Sequence, residues 1–302
     1  DLARGYGLPP DAWQATTVRN WLARRADGRL AAGRCGQSVP RQNGKNANIE
    51  IVQLHKMVMQ GRKILHTAHE VKTARKAFRR LASFFENPRR YPELAALVVE
   101  IRKANGQEAI LLSNGGSCEF SARSRGAARG FTVDDLFCDE AQELTDEQLE
   151  ALLPTISAAP AGDPQQYFLG TPPSEAMAGE VFRRIRATGV EGKDRRLCWE
   201  EWSIADDMDP HEGVRRWREL AAATNPALGV RLNITTVEDE MKAMSPEGFC
   251  RERLGQWLSR SKLGPFPAGS WEGGIDASST IAADSRLMWC VDVSGDRRTS
   301  HI

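Results

Sequence analysis

The 302-residue sequence contains no apolar run approaching the roughly 18 residues that a membrane-spanning helix needs. Its N-terminus lacks the basic-then-apolar pattern of an export signal. The chain therefore reads as neither a membrane nor a secreted protein. Its six cysteines (Cys35, Cys118, Cys138, Cys198, Cys250 and Cys290) form no CxxC pair and have no histidine at ligand spacing. This excludes a zinc ribbon or dithiol centre and predicts small buried hydrophobes in a reducing compartment. Histidine is scarce as well. His66 and His69 could share a helical face, but two imidazoles without a third ligand make a poor metal site. No internal repeat or low-complexity tract appears, so solenoid and disordered architectures are excluded.

Net charge is also nearly absent, at +1. That balance is a cancellation. Residues 1–130 carry 23 basic and 10 acidic side chains, while residues 131–302 carry 18 basic and 30 acidic. The length allows one large domain or two smaller ones.

Short apolar runs alternate with helical patterns. Strands are expected at 34–39, 63–68, 97–101, 109–113, 118–121, 133–138, 166–170 and 196–199. Val71, Ala74, Phe78, Leu81 and Phe85 mark one amphipathic helix, and Ala47, Ile51, Leu54 and Val58 another. Such alternation predicts an α/β fold, a mostly parallel sheet flanked by helices on both faces. Asn105-Gly106 and Asn114-Gly115-Gly116 suggest an antiparallel hairpin added to it. After about residue 200 the pattern becomes helical: Val214, Trp217 and Ala221 on one helix, a Thr235/Glu238 capping box on the next, and Ser245-Pro246 opening a third with Phe249, Leu254 and Trp257. A Gly/Pro/Ser-rich stretch then reads as a linker, followed by an expected strand at Leu287–Val293.

Three motifs carry chemistry. Val39-Pro40-Arg41-Gln42-Asn43-Gly44-Lys45-Asn46 lies between a strand and a helix, where converging N–H groups, a glycine, a lysine and a helix N-terminus suit a phosphate. Val39 stands where such loops usually have their first glycine, and Asn46 where Ser or Thr holds magnesium; a plain surface turn is the other reading. Ninety-four residues after Lys45, Leu136-Phe137-Cys138-Asp139-Glu140 is an apolar strand ending in two acids, one suited to hydrated magnesium and one to activating water. Phe168-Leu169-Gly170-Thr171-Pro172 ends a third strand at the edge where nucleotides bind such sheets. Trp13-Gln14 could pack against and hydrogen-bond an adenine.

Taken in this order and spacing, Trp13-Gln14, Pro40 to Lys45, Asp139-Glu140-Ala141-Gln142 and Gly170-Thr171-Pro172 resemble the large terminase subunit of tailed bacteriophages. Asn225-Pro226-Ala227-Leu228-Gly229 resembles that family's lid region. The resemblance implies an ASCE-type P-loop NTPase, a magnesium-dependent ATPase driving double-stranded DNA into a procapsid. It implies a core at 1–199, a helical lid subdomain at 200–262, a linker at 263–286, and the start of a truncated ribonuclease H-like nuclease domain at 287–302. Gln14 would read adenine, and Arg41, Gln42, Asn43, Gly44, Lys45 and Asn46 would form the phosphate loop. Asp139 would hold magnesium with Asn46 near it, Glu140 would activate water, and Gly170, Thr171 and Pro172 would couple nucleotide state to DNA. Arg129, or else Arg125, would act as a finger toward the next subunit, and Arg41 could act in cis; such a cation is worth on the order of 10³ to 10⁵ in rate.

Lys72, Lys76, Arg79 and Arg80 lie off their helix's apolar stripe and suit sequence-independent DNA phosphate contacts, a solvated face being the alternative. Asp292 would be the first nuclease metal ligand of the parent protein; with the chain ending six residues after Asp296, no DNA cutting is expected. The implied partners are ATP and Mg2+, DNA, the portal protein, the small terminase subunit and further copies in a ring, with a monomer in solution left open. The implied location is the host cytoplasm, docked at the portal. A helicase-like or restriction-type translocase, or a non-hydrolysing nucleotide-binding scaffold, is the alternative.

Overall fold

The computed structural model describes residues 2–123, 130–174 and 176–258, together with Ser278, Asp292–Val293 and Ser300–His301. It divides into two units, Asp1–Trp257 and Leu258–Ile302.

In the first unit the helices in chain order are α1 (Leu2–Gly5), α2 (Ala12–Trp21), α3 (Lys45–Leu54), α4 (Val71–Phe85), α5 (Pro92–Ala96), α6 (Asp146–Leu152), α7 (Pro154–Ser157), α8 (Glu180–Glu191), α9 (Pro210–Arg215), α10 (Trp217–Thr224), α11 (Ile234–Ala243) and α12 (Pro246–Leu254). The strands are β1 (Arg34–Ser38), β2 (Lys63–Ala68), β3 (Val98–Arg102), β4 (Ala109–Leu112), β5 (Ser117–Ala122), β6 (Asp135–Asp139), β7 (Gln165–Gly170) and β8 (Leu197–Glu201). They form one sheet in the order β3-β4-β5-β2-β6-β7-β1-β8. The six strands from β5 to β8 run parallel, and β3-β4-β5 form an antiparallel meander at one edge. One strand, β7, separates β1 from β6, the order of an α/β P-loop NTPase of ASCE type.

Side chains alternate between the two faces with the period of two that a strand imposes. Ile64, Phe137, Tyr167 and Leu169 join a core under α2, α3 and α4 that includes Trp21, Val52, Phe78 and Phe85. Leu65, Leu136, Cys138 and Phe168 join a second core with Leu152, Ile156, Val181 and Phe182 from α6, α7 and α8. A third core, with Trp217, Ala221, Val237, Phe249 and Leu254, belongs to α9 to α12. α3 continues into one π-helical turn, His55–Met59. There the fully buried Lys56 reaches Asp135 at 2.5 Å and Gln165 at 2.8 Å, and Arg62 closes on the same carboxylate at 2.6 Å.

Several sequence expectations need correction. Val214 and Trp217 stand on separate helices, because Arg216 leaves helical geometry between them (φ −101°, ψ 14°). α11 is capped by Asn233, which accepts from the Thr235 N–H, so Thr235 and Glu238 lie inside the helix. Trp257 lies beyond α12, after Gly255, and packs in the second core against Phe182 and Trp199. His66 is on β2 and His69 follows it in a turn, so they share no helical face. Of the expected strand at Leu287–Val293, only β9 (Asp292–Val293) is described, paired antiparallel with β10 (Ser300–His301) in the second unit. No helix among the described residues is long and apolar enough to cross a membrane.

Candidate functional site

The register brings the three motif-bearing strand ends together. Ser38 pairs with Gly170, Leu169 pairs with Asp139, and the Val39 N–H donates to the Gly170 carbonyl at 3.3 Å. β1 stops as Pro40 removes a ladder donor. The chain then turns through two left-handed residues, Gln42 (φ 65°) and Gly44 (φ 95°), into α3 at Lys45. Glycine suits position 44 by its backbone first and by the close side chains second. Its φ is positive, and a Cβ would lie 3.0 Å from the Arg231 guanidinium and 3.1 Å from Gln14 Nε2.

The loop is held from behind. Gln14 is 1% exposed; its Nε2 donates to the Gly44 carbonyl at 3.0 Å while its Oε1 accepts from the Asp11 N–H at 2.9 Å. Asn43, also 1% exposed, donates to the Pro40 carbonyl (2.9 Å) and to Asn225 Oδ1 (2.8 Å), and accepts from the Ala227 N–H (3.0 Å). Asn225 in turn donates to the Arg253 carbonyl at 2.7 Å, and Arg253 Nη1 donates to the Arg41 carbonyl at 2.8 Å. Arg231 donates to the Asn43 carbonyl at 3.1 Å and pairs with Asp11. Thus the helical region after residue 200 fixes the loop conformation through side chains, not only by packing.

Opposite the loop, Lys45 Nζ forms an ion pair with Asp139 Oδ1, which also accepts the Glu140 N–H at 2.9 Å. Burial pushes the Asp139 carboxyl upward, but the charge of Lys45, then that of His66, and the hydrogen bonds from Lys45 and the Glu140 N–H outweigh it and hold it below the ordinary carboxylate range. Glu140 is left-handed (φ 52°), a conformation that costs a side-chain-bearing residue about 1–2 kcal/mol. Arg123 sits beneath this turn, donating to the carbonyls of Asp139 (2.6 Å), Glu140 (2.9 Å) and Thr67 (3.3 Å). The Glu140 carboxylate takes no hydrogen bond from the described residues. Gln142 links the turn to the third motif: its Oε1 accepts from the Thr171 N–H at 3.4 Å and sits where a Cβ at Gly170 would come within 2.5 Å.

Gln14, Arg41, Gln42, Gly44, Lys45, Asn46, Glu140 and Thr171 all line one cleft of about 940 Å³. Asn43, Asp139, Gly170 and Pro172 are buried around it rather than lining it. Trp13 does not line it and stacks edge-on to Trp202 at 5.1 Å; Gly7, Leu8 and Pro9 form wall instead. The basic helix divides its charges between two cavities. Lys72, Lys76 and Arg80 also line this cleft, whereas Arg79 lines a separate cavity of about 380 Å³ with Arg75 and Lys103. Arg80 is engaged by Glu50 at 2.6 Å and Lys72 by Glu70 at 3.2 Å, while Lys76 pairs with no acid among the described residues. Arg125 and Arg129 lie outside the described residues, and Asp292 is described only as backbone of β9.

Four residues contributing to the site were not assigned to it from sequence: Arg123, Asn225, Arg231 and Arg253. The Asn225 to Gly229 run carried a signal through its family resemblance, and Arg123 stands in the same Ser/Gly-rich stretch as Arg125 and Arg129 without being favoured as a finger; Arg231 and Arg253 carried none. Among the described residues no cluster of three or more His, Cys, Asp or Glu could by itself hold a metal. A cation seated by one carboxylate, waters and ligand phosphates needs no such cluster. The ionised Asp139, whose Oδ2 takes no hydrogen bond from the described residues, fits that arrangement.

No family model and no curated protein sequence matches the chain. Solved structures do. The large terminase of bacteriophage HK97 superposes with a TM-score of 0.67 at 19% identity, over 84% of this chain and 53% of that one. The large terminase of a thermophilic bacteriophage in complex with ADP gives 0.57 at 10% identity, over 83% and 54%. The ATPase domain of the Thermus phage P74-26 large terminase gives 0.54 at 16% identity, over 85% and 97%. The chain thus spans about half the length of the first two, and almost all of the isolated domain. At these identities the likeness establishes the fold, that of large terminase ATPase domains.

Proposed function

We propose that this chain is the ATP-hydrolysing motor part of a phage terminase large subunit, driving double-stranded DNA into a procapsid. The observation that carries the reading is the Lys45–Asp139 ion pair beside the Glu140 carboxylate, which has no hydrogen-bond partner among the described residues, at the end of a cleft floored by a helix N-terminus. The large terminase of a thermophilic bacteriophage, of the same fold, has been solved with ADP and with ATP-γ-S.

In this reading the loop N–H groups from Arg41 to Asn46 and the positive end of α3 receive the phosphates, and Lys45 exchanges Asp139 for the outer phosphate oxygens. Gln14 keeps one amide hydrogen and one lone pair for an adenine edge. Mg2+ would be held by Asp139 through its waters and by the Asn46 amide oxygen, neutralising phosphate charge. Glu140 orients a water and takes its proton as the water oxygen bonds to the γ-phosphorus and the bond to the β-phosphate oxygen breaks. Gln142 passes the state of this turn to Gly170, Thr171 and Pro172. Arg129, with Arg125 second, is the finger offered to the next subunit of a ring, and Arg41 acts in cis.

Residues 1–199 form the motor core, 200–262 the lid, 263–286 a linker, and 287–302 the opening of a nuclease domain with Asp292 as a metal ligand. Portal protein and small subunit are the packaging partners, at the portal in the host cytoplasm. Lys72, Lys76 and Arg80, lining the cleft, serve phosphates there as well as DNA at its rim; Arg79 is the remaining DNA candidate.

Phosphate release from ATP, measured with and without double-stranded DNA at concentrations that assemble rings, tests the proposal. DNA-stimulated release supports it. ATP binding without release at any assembly state would leave a nucleotide-binding scaffold, and strand separation by the chain would make it a helicase.

A further inference from the structure

Arg123 is a cation kept in the interior without a carboxylate. It is 7% exposed, pairs with no acid among the described residues, and leaves its buried Nε without a partner. Burying a guanidinium in this way is costly unless its donors are satisfied. Three carbonyls take hydrogen bonds from its two Nη groups, and they come from two neighbouring strands and the turn beyond: Thr67 on β2, Asp139 on β6 and Glu140 itself. The Arg123 N–H is fixed in turn to the Ala68 carbonyl at 2.9 Å, which pins the side chain's origin at the end of β5. The planar fork therefore bridges from β5 across β2 to β6. It grips the two consecutive carbonyls that flank the left-handed residue.

The orientation of those two carbonyls is set by the dihedral angles of Glu140. The Glu140 carbonyl also accepts the Glu143 N–H at 3.0 Å, which closes the following turn, and Arg123 is the one side chain among the described residues that donates to it. An ordinary right-handed or extended conformation at Glu140 would swing its carboxylate to another bearing while leaving Asp139, Lys45 and the phosphate loop in place.

We infer that Arg123 is a positioning residue for the reaction, one that holds Glu140 in its left-handed conformation so that its carboxylate faces the cleft. The inference rests on the ATPase reading given above. It also separates Arg123 from Arg125 and Arg129: a guanidinium spent on its own chain's carbonyls is not one presented to a neighbouring subunit.

The test uses the full 302-residue chain with Arg123→Gln and Arg123→Lys. ATP turnover is measured under ring-forming conditions, ADP affinity by titration, and folded fraction by circular dichroism. The expected result is a fall in kcat of at least about ten-fold for Arg123→Gln, with ADP affinity within about three-fold of the parent chain, and partial recovery in Arg123→Lys, whose ammonium keeps the charge but not the fork. Turnover per folded molecule within about two-fold of the parent in Arg123→Gln overturns the inference. So does an equal loss of affinity and turnover, or failure of both variants to fold, since each assigns Arg123 to the framework alone. A parent chain that binds ADP but never turns over ATP sinks the ATPase reading itself. An active parent with an equally active Arg123→Gln sinks only the role of Arg123.

Discussion

His66 shows how one side chain in the floor of the site sets a measurable property of the molecule. Its ring is 1% exposed, lies near Phe120 and Phe137, and has its Nδ1 paired with Gln53 at 2.9 Å. Burial first, together with the facing charges of Lys45 and Arg123, lowers its pKa from 6.5 to about 4, against an opposing pull from Asp139. The folded state thus holds a neutral ring while the unfolded chain takes up a proton as pH falls below 6.5. Its contribution is complete above that value and is lost as pH drops toward 4. Between about pH 7.5 and about pH 4.5 this linkage should remove roughly 2 to 3 kcal/mol of unfolding free energy. Asp139, held low, adds a loss in the same direction only below the ordinary carboxylate range. Urea titrations at the two pH values should show that slope in the parent chain and its disappearance in His66→Gln; equal slopes would refute the assignment. Of the site, Lys45, Asp139 and Glu140 were legible as sequence because each lies in a short contiguous motif. Arg123 was not. Set among serines and glycines close to Arg125 and Arg129, it carries no motif of its own, and only the pairing of β5 with β2, which β6 flanks on the other side, turns its guanidinium inward.

At the scale of elements, the strands of the main sheet were readable because burial on both faces leaves short apolar runs with turn residues at their ends. Helix ends after residue 200 were less so. The apolar pattern of Val214, Trp217 and Ala221 continues through the break at Arg216, and Asn233, two residues earlier than the expected Thr235/Glu238 box, takes the cap. Neither feature interrupts the hydrophobic period, which is the signal a sequence displays. The same helices contribute the Asn43–Asn225–Arg253 network, joining residues 182 and more positions apart in sequence. Removing the amide in Asn43→Ala leaves Asn225 Oδ1 and the Ala227 N–H buried and unpaired. It should cost about 2–4 kcal/mol, since each orphaned group carries roughly 1–3 kcal/mol. Thermal unfolding should show that loss, with weaker ADP binding in titrations at a temperature where the variant is folded. Unchanged affinity would mean that the helical region supports the fold without shaping the phosphate loop.

For the whole molecule, the near-zero net charge concealed a surplus of 13 basic groups in residues 1–130. Part of that surplus is directed into the cleft: Arg41, Lys45, Lys72, Lys76 and Arg80 converge there, with Glu70, Glu140, Glu143 and Glu252 among the acids that answer them. Helical periodicity located the basic side of α4 correctly but could not say what that side faces, because this depends on how α3, β2 and the loop at 40–46 pack together. The strand order, with β7 between β1 and β6, likewise emerges only in three dimensions. It is what makes the Lys45 loop, the two acids and the Gly170 turn neighbours. The central claim is that this convergence hydrolyses ATP through Glu140. Glu140→Gln tests it most directly, by ATP binding and phosphate release measured side by side with the parent chain. The account predicts binding within about three-fold of the parent and turnover lowered by at least about 100-fold, because the amide can no longer accept the proton of the attacking water. Parallel loss of binding and turnover, or retention of turnover, would contradict it.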